Sequence, residues 1–358
     1  MRIGITCYPT FGGSGVVASE LGRELAKHHE VHFISYSLPF RLDEKVHFHR
    51  VDMLKYPLFK FPPYTLALTS KMAEVCEKEK LELLHVHYAI PHSTSAYLAK
   101  KLTNRVKIVT TLHGTDVQLV GLDPSYKSIT KFSMEKSDGL TSVSNYLKRL
   151  TIKEFGIKNH IEVIHNFIDP LKFKRRFVER RERTIVHVSN FRRIKRIPDI
   201  IHAFKLITKR IECRLTMVGD GPEKLKAKRL AKELGLEDMV KFTGNLRDVS
   251  KVLSSSSLFL LPSEMESFGL AALEAMSCGI PVVATKTGGL LEVITKECGF
   301  LVKMGDIEEI AKKCLMILED EDLQKKMGEA GRKRVLRYFT PEKIVPKYER
   351  YYERVLKG

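Results

Sequence analysis

The sequence predicts an α/β protein of two doubly wound parallel-sheet domains facing a central cleft. Three observations lead there. The chain opens as strand, glycine-rich loop, helix and strand, which is how a parallel sheet begins. The same succession restarts near Thr184. A chain of 358 residues is long enough for two separate cores. The expected domains are 1–169 and 170–340, with a last helix, 341–358, returning to the first.

Taken in order, Arg2–Cys7 is a short apolar strand. Pro9–Gly15 follows as a glycine loop whose Gly12 and Gly13 let backbone approach a ligand closely. A helix runs from about Val16 to Lys27, then a strand over Val31–Ser35. The loop reads G-G-S-G, not G-x-G-x-x-G, and no acidic residue closes the next strand, which disfavours a dinucleotide cofactor. Asp52–Tyr64 carries three prolines and is a structured loop whose aromatics cover a site or simply pack. A helix Leu66–Lys80, a strand Leu83–Val86, a helix His92–Lys101 and a strand Lys107–Leu112 come next. That strand ends in His113-Gly114-Thr115-Asp116, polar residues at the end of a parallel strand where open sheets bind ligands. Gly139–Val143 ends likewise in Ser144-Asn145-Tyr146, and its helix reaches Phe155. Glu162–Ile164 and His165–Asp169 close the first domain, and the charged run Pro170–Arg183 is the hinge.

The second series starts with strand Thr184–Ser189, loop Asn190–Arg196 and a helix from Pro198. Strand Arg214–Val218 runs into Gly219-Asp220-Gly221-Pro222, a helix spans Glu223–Leu234, and strand Val240–Thr243 precedes Gly244-Asn245-Leu246. Helix Val249–Ser254 and strand Ser257–Leu261 lead to Pro262–Pro281. Within that stretch a helix begins near Phe268, capped by Ser263 or Ser267, and ends before Gly279, with strand Ile280–Ala284 behind it. Gly288-Gly289 turns the chain before Leu290–Ile294; helices Ile307–Glu319 and Asp322–Tyr338 follow. Thr340 caps the last helix, with Pro341 at its first position.

Composition narrows the class. The chain is 43% apolar and 29% charged, which is globular. No apolar run is long enough to span a bilayer, and Met1-Arg2 leads directly into a strand, so neither a span nor a signal peptide is expected. Six cysteines without C-x-x-C spacing point to reduced thiols, a cytoplasmic setting and no zinc site of that type. The net charge of +18 admits nucleic acid, anionic membrane or anionic small molecules. No aromatic-interleaved basic stripe accompanies it, which argues against nucleic acid. Basic residues cluster at Lys172–Arg183, Arg192–Arg196 and Lys224–Arg229.

The helix start inside Pro262–Pro281 is the strongest functional signal. Its first backbone N–H groups, at Phe268, Gly269 and Leu270, lack helical partners and suit a phosphate. Glu266 precedes the start and Glu274 lies about two turns in, at a similar azimuth. Carboxylates beside a phosphate bind hydroxyls, so phosphate flanked by polyols describes a nucleotide-sugar.

This E-x7-E run resembles the signature of the retaining glycosyltransferases of family 4, which have the GT-B fold of two Rossmann-like domains. G-I-T-C-Y-P-T-F-G-G-S-G, H-V-H-Y-A-I-P-H, T-T-L-H-G-T-D, S-V-S-N, H-N-F-I-D and V-S-N-F-R-R-I-K-R extend the likeness along nearly the whole chain. Together they resemble the bacillithiol-pathway branch of that family. The resemblance implies UDP-N-acetylglucosamine as donor, L-malate as acceptor, retention of configuration and no metal or other cofactor. It implies that Glu266 binds donor sugar hydroxyls, Glu274 the ribose diol and Lys195 the diphosphate, with Ser267, Phe268, Gly269 and Leu270 beside diphosphate and sugar. Gly219, Gly244 and Leu246 border the uridine. His113 bonds the donor sugar, and Gly13 and Ser14 meet phosphate or acceptor. Gly12, Tyr88, Thr115 and Asn145 are acceptor-site candidates, with Lys55, Lys60, Lys148 and Arg149 available to malate carboxylates.

Most family members carry Arg where this chain has Asn190, so Arg192 or Arg196 is expected to supply the second cation. Retention runs by front-face attack or through a carboxylate nucleophile, for which Asp116 is the one nearby candidate. The alternatives are another family 4 enzyme with a different sugar or acceptor, and a GT-B-fold UDP-N-acetylglucosamine epimerase. Homo-oligomerisation is left open.

Overall fold

The computed structural model describes residues 1–10, 12–40, 42–175 and 182–358. Phe11 of the glycine loop and residues 176–181, half of the basic run Lys172–Arg183 and part of the expected hinge, lie outside the described residues. The chain divides into two compact units, Met1–Asn166 with Pro341–Gly358, and Phe167–Thr340.

The first unit runs β1 (Arg2–Thr6), α1 (Ser14–Leu25), β2 (Glu30–Ser35), β3 (His47–Arg50), α2 (Tyr64–Lys78), β4 (Leu83–His87), α3 (Thr94–Thr103), β5 (Lys107–Leu112), α4 (Pro124–Glu135), β6 (Gly139–Ser142), α5 (Asn145–Phe155) and β7 (Ile161–Val163). Its strands are parallel in the order β3-β2-β1-β4-β5-β6-β7. A parallel sheet is covered on both faces, which is why its strands read as apolar runs instead of alternating. On one face Ile34, Leu84, Val86 and Ile108 meet Leu68 and Met72 of α2 and Ala96 of α3.

The second unit runs β8 (Thr184–Val188), α6 (Ile197–Thr208), β9 (Arg214–Val218), α7 (Lys224–Glu233), β10 (Val240–Gly244), α8 (Ser250–Ser255), β11 (Leu258–Leu261), α9 (Leu270–Ser277), β12 (Val282–Thr285), α10 (Leu290–Val293), β13 (Gly299–Val302), α11 (Ile307–Glu319) and α12 (Glu321–Tyr338). Its six strands are parallel in the order β10-β9-β8-β11-β12-β13. Phe204 of α6 and Ile310 and Cys314 of α11 pack with Leu215, Met217, Leu260 and Val283 of the sheet.

Both sheets reverse direction of growth at one point, between β1 and β4 and between β8 and β11. Doubly wound sheets bind ligands just beyond the carboxyl ends of the strands at that reversal. No described helix is long and apolar enough to cross a membrane.

The final helix, α13 (Pro341–Lys357), belongs to the first unit. Its Tyr351 hydroxyl donates to the Leu140 carbonyl at 3.0 Å, and its Tyr352 hydroxyl meets Nδ1 of the buried His85 at 2.7 Å. Tyr352→Phe should therefore lower stability by about 1 to 3 kcal/mol, because it leaves a buried ring nitrogen unpaired; urea unfolding of the full chain measures this, and an unchanged midpoint would refute the docking role.

Candidate active site

In the second unit the sequence forces the backbone into an unusual path beside β8 and β11. Phe191 and Arg196 have φ of 39° and 50°, a region that L residues enter only under constraint. The constraint is the G-D-G turn after β9. A Cβ on Gly219 would lie 1.8 Å from the Ser189 carbonyl oxygen, and one on Gly221 would lie 2.1 Å from that of Asn190. The loop thus rests directly on glycine backbone, with Phe191 fully buried beneath it. Gly219 also donates its N–H to the Gly244 carbonyl at 2.9 Å, bringing those two predicted uridine-site residues together; Leu246 lies half-buried just beyond.

The 262–269 loop is held from several sides. Glu264 N–H donates to the Ile194 carbonyl at 2.8 Å, joining it to the β8–α6 loop. Gly289 N–H donates to the Glu266 carbonyl at 2.9 Å, and the Thr287 hydroxyl to the Glu264 carbonyl at 3.0 Å. A Cβ on Gly289 would meet the Ser267 carbonyl oxygen at 2.2 Å, so the close approach requires glycine.

The outcome is an ion pair: Lys195 Nζ lies 2.5 Å from Glu266 Oε1, with the side chains 16% and 12% exposed. Ser263 Oγ donates to the same Glu266 oxygen at 2.9 Å. The serine was expected to cap the helix; instead it orients the glutamate. The helix starts later than the sequence suggested. Its N-cap is Gly269, with φ of 96° and no side chain to cap with. The N–H groups left without helical partners begin at Leu270, and Phe268 and Gly269 precede the helix. Phe268 is buried against Phe339 with ring centres 5.8 Å apart. At the other end the expected glycine stop is present, with Gly279 N–H to Met276 and Ile280 N–H to Ala275. Glu274 is buried inside α9.

Arg196 pairs with Asp199, its Nε 2.6 Å from the carboxylate, while Arg192 and Asn190 are exposed on the same loop. His187, at the end of β8, is held by the Leu260 carbonyl and Ser189 Oγ at 2.8 and 2.7 Å.

The first unit places His113, Tyr88, Ser14 and Thr115 beyond the ends of β1, β4 and β5. Ser14 Oγ donates to the Tyr88 hydroxyl at 2.9 Å. Tyr88 has φ of 94°, a further non-glycine residue in the left-handed region, and its ring centre is 5.6 Å from that of His113. Gly13 has φ of 59° and precedes α1, whose first turn carries no acidic residue, so its amino end suits an anion. A Cβ on Gly12 or Gly13 would meet nothing within 4 Å, so at Gly13 it is the backbone conformation and not packing that favours glycine. Asn145 is exposed at the first turn of α5, with Lys148 and Arg149 on the next turn; Lys55 and Lys60 are exposed in the 52–63 loop. That loop also exposes Leu54, Leu58 and Phe61.

Asp116 has a structural task. Its Oδ1 accepts from the N–H groups of His113 and Gly114 at 3.1 and 2.8 Å, and its Oδ2 from that of Ala89 at 3.0 Å. Burial raises its pKa and these bonds oppose the rise. Both oxygens are occupied in tying the ends of β4 and β5 together, which removes Asp116 as a nucleophile candidate.

Sequence reading missed the histidine network behind His113. His87 Nδ1 and His113 Nε2 are 2.7 Å apart, so one donates and the other accepts. His92 Nδ1 donates to the His87 carbonyl at 2.6 Å, and His85 Nε2 meets the Thr111 hydroxyl at 2.6 Å. The signal was present as H-V-H, two residues apart on one face of β4.

Two family models match the chain. "Glycosyltransferase Family 4" covers residues 11–172 and "Glycosyl transferases group 1" covers 169–334. N-acetyl-alpha-D-glucosaminyl L-malate synthase of Bacillus anthracis is 46% identical, over 100% of this chain and 98% of that protein. An uncharacterized glycosyltransferase of Methanocaldococcus jannaschii is 28% identical over 97% of this chain and 95% of its own. Among solved structures, sucrose-phosphate synthase from Thermosynechococcus elongatus superposes with a TM-score of 0.82 at 22% identity, covering 100% and 99% of the two chains. Anabaena HepE in complex with UDP and glucose gives 0.81 at 19% identity, covering 99% of each.

Burial, reinforced by the neighbouring histidines, holds His85 and His113 down to about 3, and burial holds His92 down to about 4; His87 is also well below the ordinary value of 6.5. Below that ordinary value the unfolded chain binds protons that the folded chain refuses, so stability falls as pH falls toward the depressed values. The expected slope is at most about 1.4 kcal/mol per pH unit for each such histidine. Urea unfolding at pH 7 and pH 5 should show a clear loss at pH 5; equal stability would contradict neutral burial of these rings.

Proposed function

The chain belongs to the family 4 glycosyltransferases of GT-B fold, and from that premise we propose that it moves N-acetylglucosamine from UDP-N-acetylglucosamine to the hydroxyl of L-malate with retention, the first step of bacillithiol biosynthesis. The single observation that carries this reading is the Lys195–Glu266 pair beside the amino end of α9. The identity of 46% over the full chain to the Bacillus anthracis enzyme supports the choice of donor and acceptor.

Bound donor separates the pair's two tasks. The Lys195 ammonium turns to the diphosphate and the Glu266 carboxylate accepts from sugar hydroxyls. Arg192, exposed on the same loop, provides the second cation in place of the arginine that Asn190 lacks. Leu270 N–H and the helix end oppose the charge that grows on the leaving phosphate. Glu274 takes the ribose diol, and the Gly219–Gly244 contact with Leu246 borders the base. In the first unit His113, held through Nε2 by His87, offers Nδ1 to the donor sugar. Ser14, Tyr88 and Thr115 offer hydroxyls to the acceptor, with Gly12, Gly13 and Asn145 beside them.

With Asp116 engaged by three backbone N–H groups, the route is front-face attack. The bond from the anomeric carbon to the phosphate oxygen breaks with its electron pair going to phosphate. The malate oxygen bonds to the same face of that carbon, and its proton passes to a phosphate oxygen. This residue set supplies cations and donors for the diphosphate without a metal, and metal-independent turnover is part of the proposal.

Mass spectrometry of reactions containing UDP-N-acetylglucosamine and malate, inositol phosphate or water checks the acceptor. We expect an N-acetylhexosaminyl malate with wild type and a loss of ~100-fold or more with Glu266→Ala. Product with inositol phosphate but none with malate would reject the acceptor assignment and leave the family 4 alternative. C2-epimerised donor would favour the epimerase.

A further inference from the structure

We propose that His32, His49 and Glu79 form a binding site for a divalent first-row transition ion of the zinc class, at the edge of the first unit's sheet and apart from the catalytic machinery. The argument begins with register. In the parallel β2–β3 pair His32 lies opposite His47 and Ile34 opposite His49. Partners in a pair share a face, and residues two apart on a strand do too, so three imidazoles stand on one face. Helix α2 ends over that face, with Glu79 as its C-cap.

Three ligand atoms converge there. One nitrogen each of His32 and His49 and one carboxylate oxygen of Glu79 all lie within 4.8 Å of one another, the grouping of such dimensions found among the described residues. His32 Nδ1 and His49 Nε2 are 2.9 Å apart. Tetrahedral bonds of about 2.0–2.2 Å place ligand atoms roughly 3.3 Å apart, so small side-chain shifts suffice.

The surroundings fit a metal ligand set. His32 Nε2 is 3.1 Å from Glu30 Oε1. A carboxylate there fixes the proton on Nε2 and leaves the Nδ1 lone pair facing His49 and Glu79, which is how an outer carboxylate orients a metal-binding imidazole. Arg2, 3.3 Å from Glu30, steadies that carboxylate. The His47 ring stacks on His32 with centres 5.0 Å apart and closes one side. A plain imidazole pair accounts for the 2.9 Å contact but not for the third group. Glu79 shows no hydrogen bond to either ring among the described residues, and the exposed Lys78 approaches it only to 3.8 Å. The other nearby cation, Lys71, is bound to Glu74 at 2.6 Å.

Two imidazoles and a carboxylate suit Zn²⁺, Co²⁺, Ni²⁺ or Cu²⁺ better than Mg²⁺ or Ca²⁺. The ion takes the place of the hydrogen bond between the two rings; the His49 proton moves from Nε2 to Nδ1 through solvent, so both rings ligate as neutral imidazoles with no net proton release. It ties edge strand β3 to β2 and to the end of α2, just before the chain enters the 52–63 loop.

The test uses the full chain stripped with EDTA and titrated with Zn²⁺ by calorimetry and with Co²⁺ by visible absorption. Wild type should bind with a stoichiometry of about one and unfold at a higher temperature with Zn²⁺ present. His49→Ala and Glu79→Gln should weaken binding severely, and the outer-position variant Glu30→Gln should weaken it about tenfold to a hundredfold. His160→Ala, at an exposed histidine elsewhere, should change nothing. Because Glu79 is half-buried at a helix end, its variant tests the site even if His49→Ala folds poorly. Absence of stoichiometric binding by wild type, or undiminished binding by Glu79→Gln, overturns the proposal.

Discussion

Lys195 and Glu266 are 71 residues apart in sequence, yet their charged atoms meet at 2.5 Å with little solvent around them. Two partly desolvated charges can stay so only while each compensates the other. The loops that carry them are therefore built to one geometry, by direct backbone bonding between Ile194 and Glu264 and by glycines at 219, 221 and 289 where no Cβ fits. Much of the second unit's irregular backbone serves this single contact. The pair occupies the sheet's reversal point, so a ligand arriving there must come to terms with it.

The first unit solves a different problem. It gathers neutral polar groups, Ser14, Tyr88 and His113 among them, beyond the ends of its central strands. Asp116 spends its charge on three backbone N–H groups and so sets the ends of β4 and β5. His87 sits behind His113, and one of its own ring nitrogens, Nε2, has no hydrogen-bond partner among the described residues. Such an orphan is costly.

The architecture was legible because glycine turns and apolar runs mark parallel strands and amphipathic spacing marks helices: strands Lys107–Leu112 and Arg214–Val218 and helix Ile307–Glu319 fall where the sequence placed them. Strand β3 escaped notice because H-F-H-R, at a sheet edge, is only half-buried and mostly polar. Helix α4 escaped despite its Asp123 cap and Pro124 start. The candidate site's residues, Glu266 and Lys195 among them, were visible in the sequence, but their contact was not. Whether Ser263 caps a helix or orients Glu266 depends on Gly269 taking φ of 96°, which one-dimensional spacing does not reveal. The pairing of Arg196 with Asp199, three residues on, is likewise visible only in the structure.

The most direct measurement is a crystal structure of the protein with UDP-N-acetylglucosamine bound. The account predicts that Lys195 leaves Glu266 for the diphosphate, that Glu266 bonds a sugar hydroxyl, and that phosphate oxygens face Leu270 N–H. A nucleotide seated elsewhere, with the two side chains still joined, would contradict it.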